Sequence, residues 1–251
     1  GEYILEPGLT GHIVAGQTDT AVDALWRELD QKVKVSNHLQ AERPCDLFVT
    51  VFRSLDAVQH CFWKHMDPEH PFHDPAAAER YGSVILEAYQ RVDRYLSELL
   101  DRMDDETYLF VVSDHGFSTN TAGVDVATAL GEAGLKAAPD SADVVLASSG
   151  QAVGVYVEGH DAARIGRIVA FLQSRDWGGV GFTAEGGPGD TRGTAEGTFS
   201  LELIHLASAE RGPDLVLTFP WTSGVNAFGV AGADLACVSG GARLYAADHG
   251  S

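Results

Sequence analysis

Long apolar runs are missing from these 251 residues. No stretch approaches the roughly 20 uninterrupted apolar residues that a membrane helix needs, and the start lacks the charged, apolar and small-residue regions of a secretory signal. Lysine is scarce, with residues 32, 34, 64 and 136 the only examples, and 17 Lys+Arg against 36 Asp+Glu leave a formal charge of −19. That balance excludes a broad nucleic-acid surface. It also repels a phosphate ligand unless local cations reverse the field, as a metal pair in a cleft does. Cys45, Cys61 and Cys237 are odd in number and share no C-x-x-C spacing, which argues against a disulfide framework and a thiolate zinc site. No N-x-S/T sequon is present, which leaves the compartment open but tilts it toward the cytoplasm.

What is present is a core-forming chain, 45% hydrophobic, long enough for one α/β domain or two small ones. Val22, Leu25, Trp26, Leu29 and Val33 stand at helical spacing over 19–36, and the apolar run 47–52 that follows predicts a buried strand. A second helix, 75–103, carries Ile85, Ala88, Tyr89, Val92, Leu96, Leu99 and Met103 on one face and feeds a second apolar run, 108–112. Apolar strands alternating with amphipathic helices predict an α/β fold with a mostly parallel sheet covered on both faces. Beyond Gly116 the pattern predicts a short helix over 125–133 and strands over 144–147 and 152–157. A helix built on Ile165, Ile168, Val169 and Leu172 follows, with a last strand over 214–219. Gly178, Gly179, Gly181, Gly186, Gly187, Gly189 and Gly193, with Pro188 among them, mark a loop or lid-like excursion over 178–197, and a Gly-rich tail runs from 224 to 251.

Two pairs of side chains carry chemistry. Asp56 and His60 stand four residues apart, on one side of a helical turn, just after the first apolar run. Asp114 and His115 directly follow the second run, at the strand end where open α/β sheets place ligands. Each pair alone has an ordinary reading, as a surface helix pair or a capped turn; together they point to a metal site. Mixed carboxylate and imidazole donors suit zinc, manganese or iron, with zinc first. Two such ions about 4 Å apart can clamp a phosphoryl group and supply the positive charge that the protein lacks. His65, His70 and His73 crowd the following loop and are read as structural, although a His-rich tract can also bind metal. Trp221, Asn226 and Phe228 are read either as a substrate-binding wall or as packed turn residues, with the Asn226 amide the candidate substrate contact.

The segments Asp46–Phe52, Asp56–His60 with Phe62-Trp63, Asp67–Pro71, Tyr89, Asp93 and Ser113–Phe117 resemble the type I phosphodiesterase/nucleotide pyrophosphatase family of the alkaline phosphatase superfamily. Gly197–Ser200, Pro213-Asp214 and the stretch to Phe228-Gly229 resemble later blocks of bacterial and archaeal members. The resemblance implies an alkaline-phosphatase-like catalytic domain and hydrolysis of a small phosphodiester or nucleotide pyrophosphate substrate with two metal ions. Asp56 and His60 would hold one ion with a third ligand, His249, in His249-Gly250-Ser251; Asp114 and His115 would hold the other. The family pattern also needs an Asp and a Thr or Ser nucleophile before the Asp-x-x-x-His block. Thr10 is the nearest candidate, and its surroundings do not fit. Residues 1–251 are therefore expected to be a single α/β catalytic-domain fragment, with the nucleophile upstream of Gly1 and little or no turnover alone. Alternatives are a sulfatase, phosphonate hydrolase or phosphomutase of the same superfamily, or a non-catalytic metal- or nucleotide-binding module; oligomeric state is left open.

Overall fold

A computed structural model describes residues 4–43, 45–187, 189–207, 210–238 and 245–250. Pro188 of the glycine excursion, Ser251 and residues 239–244 of the tail lie outside the described residues. The chain divides into two compact units, the first made of Gly1–Gly116, Asn226–Val230 and Tyr245–Ala247, the second of the remainder.

The first unit is helical: α1 (Leu9–Val14), α2 (Thr18–Glu42), α3 (Ser54–Met66), α4 (Pro75–Tyr81) and α5 (Val84–Leu100). Its core packs the predicted apolar stripes, Leu25 and Leu29 of α2 and Ile85 and Ala88 of α5, against Val58 and Phe62 of α3. The helix expected over 75–103 is two helices. Asp74 caps α4 by accepting from the Ala76 amide at 3.0 Å. The break then falls at Gly82, where a Cβ would stand 2.7 Å from the Ala78 carbonyl and 3.1 Å from the His65 carbonyl of α3, so the turn leaves no room for a side chain.

Neither apolar run forms the buried strand expected of it. Residues 47–52 and 108–112 lie outside every strand among the described residues, and Val49 is 73% and Val112 87% exposed. The composition is right for strands, but a strand exists only against a partner, and none of the described strands pairs with either run. Part of the first run packs, with the Phe52 ring 5.4 Å from that of Tyr95 and Thr50 Oγ1 3.3 Å from Ser36 Oγ.

The second unit carries two sheets. One has the order β2-β3-β6-β4-β5, formed by β2 (Val144–Ser149), β3 (Ala152–Val157), β4 (Gly181–Thr183), β5 (Phe199–Ser200) and β6 (Leu215–Thr218). With α6 (Val126–Glu132) and α7 (Ala162–Gln173) it encloses a core that includes Leu130, Val153, Val155, Ile168, Leu172 and Leu217. The other has the order β7-β8-β1-β9, from β1 (Gly116–Val124), β7 (Trp221–Val225), β8 (Ala231–Cys237) and β9 (Ala247–Gly250). The class is α/β, consistent with an alkaline-phosphatase-like fold, but the sheets are mixed rather than mostly parallel. β1 pairs with β8 and β4 with β5 in parallel, whereas β2–β3, β3–β6, β4–β6 and β7–β8 are antiparallel. The cause is local: β2 and β3 are joined by a tight turn at Gly150 and Gln151, which permits only an antiparallel pair.

The glycine excursion is folded back on itself. Glu185 bridges Gly193, and the Thr194 amide donates to the Ala184 carbonyl at 2.8 Å. Gly193 is required there, since a Cβ would stand 2.2 Å from Thr183 Oγ1 and 2.3 Å from Thr198 Oγ1.

Candidate metal centre

Helix α3 sets the first pair. Asp56 lies in its first turn and His60 one turn later, and His60 Nε2 is 3.5 Å from Asp56 Oδ1. The second pair comes from the segment that leads into β1. His115 Nε2 is 3.9 Å from the same Asp56 oxygen and 3.6 Å from Asp114 Oδ1. All four residues belong to the first unit. Two pairs separated by more than fifty positions in the sequence thus meet at one carboxylate.

Hydrogen bonding fixes which ring atom can bind. His60 Nδ1 lies 2.8 Å from the Ala247 carbonyl, and His115 Nδ1 lies 3.1 Å from the Gly116 carbonyl. A carbonyl only accepts, so each Nδ1 donates its proton and Nε2 is the lone-pair atom of each neutral ring. Both lone-pair atoms lie on the side of Asp56. Donation from the remote nitrogen to a carbonyl is also the usual outer support of a metal-binding imidazole. Four ligands at about 2.0–2.1 Å in a tetrahedron stand about 3.3–3.4 Å apart, and the separations within each pair, 3.5 Å for Asp56 with His60 and 3.6 Å for Asp114 with His115, are close to that spacing. The side chains are accessible to different degrees, from 13% for His60 to 89% for Asp114.

The neighbouring residues explain why α3 holds its place. Ser54, at the start of α3, donates to the buried Glu28 carboxylate of α2, and burial holds the Glu28 pKa above the usual range. His70 is also buried, and its Nε2 donates to the Ala246 carbonyl at 2.7 Å while its Nδ1 accepts from the Phe72 amide at 2.9 Å. His60 and His70 therefore grip consecutive carbonyls of the 245–247 segment.

The sequence profile of the type I phosphodiesterase / nucleotide pyrophosphatase family matches residues 10–175, more than half of the 251 residues. The chain belongs to this family. Neither curated proteins nor solved structures returned a match. The phosphodiesterase profile spans both candidate pairs and supports, in general terms, a hydrolase of phosphodiester or pyrophosphate bonds. No helix among the described residues is long and apolar enough to cross a membrane.

The other residues expected at a phosphodiesterase site are placed as follows. His249 lies on β9 in the second unit, exposed, with its ring edge-on to Phe117 at 5.5 Å. Asn226 belongs to the first unit. Its Nδ2 donates to the buried Asp67 carboxylate at 2.8 Å, and its Oδ1 accepts from the Phe228 and Val230 amides, each at 3.0 Å. Thr10 Oγ1 is 3.8 Å from Cys61 Sγ. The reading of His70 as structural agrees with its two bonds, but its grip on a segment 176 positions away carries no signal in the sequence. Glu28 was equally silent, as one more carboxylate on a helix.

Proposed function

We propose that this chain is the metal-binding part of a metal-dependent phosphodiesterase or nucleotide pyrophosphatase. The observation that carries the reading is the convergence of His60 Nε2 and His115 Nε2 on the Asp56 carboxylate. Asp56 and His60 are assigned to one ion and Asp114 and His115 to the other, with zinc preferred for mixed oxygen and nitrogen donors. His249 is assigned as the third ligand of the first ion, as the resemblance implies. The continuity of the family profile through both units, from residue 10 to 175, supports treating residues 1–251 as part of one catalytic domain.

Such ions supply the positive charge that stabilises phosphoryl oxygens and lowers the pKa of a bound hydroxyl or water. The chain's own residues do the rest. The Ala247 and Gly116 carbonyls accept from Nδ1 of His60 and His115, and so keep each Nε2 lone pair oriented. The Glu28–Ser54 contact anchors the turn that presents Asp56. A substrate contact by Asn226 remains part of the reading, alongside its hold on Asp67. The nucleophile is assigned outside residues 1–251, so turnover by this chain alone is expected to be weak or nil.

The test is zinc binding by the chain and hydrolysis of an aryl phosphodiester by the full-length protein. His60→Ala and His115→Ala are each expected to lower zinc affinity at least about ten-fold, since even an outer-shell loss has an effect of about 10–100-fold. Activity that survives Asp114→Ala with His115→Ala removes the reading.

A further inference from the structure

The turn that follows α3 is tied back onto the helix. The Asp67 amide donates to the Trp63 carbonyl at 3.0 Å, and His73 Nδ1 donates to the Lys64 carbonyl at 2.8 Å. The buried Asp67 carboxylate accepts from the Glu69 amide at 3.0 Å and from Asn226 Nδ2 at 2.8 Å. Within this turn the His70 ring is fixed at both nitrogens, since Nδ1 accepts from the Phe72 amide and Nε2 donates to the Ala246 carbonyl. The C-terminal end of α3 and the His70 ring thus form one braced piece.

Against that piece lies the segment 245–247. The Ala246 amide donates to the His60 main-chain carbonyl at 2.9 Å, and the Ala246 carbonyl accepts from His70 Nε2 at 2.7 Å. The next carbonyl, that of Ala247, accepts from His60 Nδ1 at 2.8 Å, and the Tyr245 ring lies 4.6 Å from that of His60. Ala246 and Ala247 are both buried. A carbonyl that loses its donor there has little water to replace it, so the backbone must move to find another partner. One planar peptide unit links the two carbonyls, and a shift at Ala246 therefore carries to Ala247.

We infer that His70 is a positioning residue for the proposed metal centre: by holding the Ala246 carbonyl it sets the Ala247 carbonyl against His60 Nδ1, and so keeps the His60 Nε2 lone pair available to a metal. The inference rests on the assignment of His60 as a ligand made above. What His70 controls is the tautomer. A neutral imidazole carries its proton on one ring nitrogen or the other. With the Ala247 acceptor displaced, nothing holds that proton on Nδ1, and it redistributes to Nε2, the atom that would meet the ion. The ring is also left free to turn.

Long-range proton–nitrogen correlation spectra of the metal-free chain, recorded above the imidazole titration range, read the His60 ring proton directly, with its signals assigned by their loss in His60→Ala. The parent chain is expected to carry that proton on Nδ1. His70→Leu is expected to move much of it to Nε2 and to lower zinc affinity at least about ten-fold, the lower end of what an outer-shell loss does. His70→Gln, whose amide nitrogen stands where Nε2 stood and can donate to the Ala246 carbonyl, is expected to restore both. A parent ring protonated on Nε2 overturns the inference without any variant. So does His70→Leu that leaves the proton on Nδ1. His70→Gln that shifts it as far as His70→Leu also overturns it, since the bulk of the ring would then matter and not its hydrogen bond. Should His70→Leu fail to fold, His70→Asn takes its place, because its amide is one carbon too short to reach the carbonyl. A parent chain that binds no zinc fails the metal reading, and the metal-free spectra still decide whether His70 sets the His60 ring.

Discussion

His65 shows how a single side chain can set the pH response. Its ring packs 5.8 Å from Phe62 and 5.5 Å from Tyr81, and its Nδ1 is buried without a hydrogen-bond partner among the described residues. Burial, followed by the charges of Lys64 and His73, lowers its pKa to about 4. A folded pKa below the unfolded value means that the unfolded chain binds the proton first, so stability is full above about pH 6.5 and falls as pH drops toward about 4. After allowance for partial solvent screening, the loss is on the order of 1–2 kcal/mol. His65→Phe, which suits the aromatic surroundings, is expected to flatten this slope in urea titrations at a series of pH values. Gly193 offers a second test at this scale. Gly193→Ala must push apart Thr183 and Thr198, whose hydroxyls bond at 2.7 Å, and is expected to destabilise by about 1–3 kcal/mol. Gly187→Ala, with open space around it, should change little.

Among the elements, the two apolar runs stand apart. Residues 47–52 and 108–112 are rich in Val, Phe and Leu and largely solvent-facing, which is the composition of a segment that pairs with any available strand edge. Val49→Lys and Val112→Lys are expected to leave stability within about 0.5 kcal/mol and to reduce self-association in sedimentation at high protein concentration. A large loss of stability from either would mean that these side chains are buried in the protein in solution. The same runs deliver the candidate ligands, because Asp56 follows the first and Asp114 and His115 follow the second. Their spacing therefore depends on the helices: α3 is fixed against α2 and α5 by Val58 and Phe62 in a continuous core.

For the molecule as a whole, the charge of −19 is the dominant field. Self-repulsion of so many carboxylates weakens the folded state at low ionic strength. Raising salt from about 10 mM to about 150 mM shortens the screening length from about 30 Å to about 8 Å. The melting temperature is expected to rise over that range in scanning calorimetry. A fall would show that attractive pairs such as Arg164–Asp143 and Arg80–Asp19 outweigh the repulsion. Divalent ions held at the proposed metal centre should act beyond this general screening, because they would neutralise the Asp56 and Asp114 carboxylates at fixed places. Chelation is accordingly expected to lower the melting temperature more than the same ionic strength of sodium chloride restores it.

The sequence by itself determined α2, most of the helical stretch that became α4 and α5, the strands β2 and β3 though not their antiparallel pairing, the family, and the two Asp/His pairs as candidates. Those features rest on local periodicity, capping and motif spacing, which neighbouring residues encode directly. It could not determine that the apolar runs would pair with none of the described strands, that sheets would be mixed, or that Ser118, Asn120 and Asp234 would line a buried strand contact. A strand's partner lies far away in the chain, and polar residues that turn inward break the alternation by which strands are read. Only the tertiary structure decided that His60 and His115 face one carboxylate and which ring nitrogen each presents, because the carbonyls that fix those tautomers become neighbours through folding.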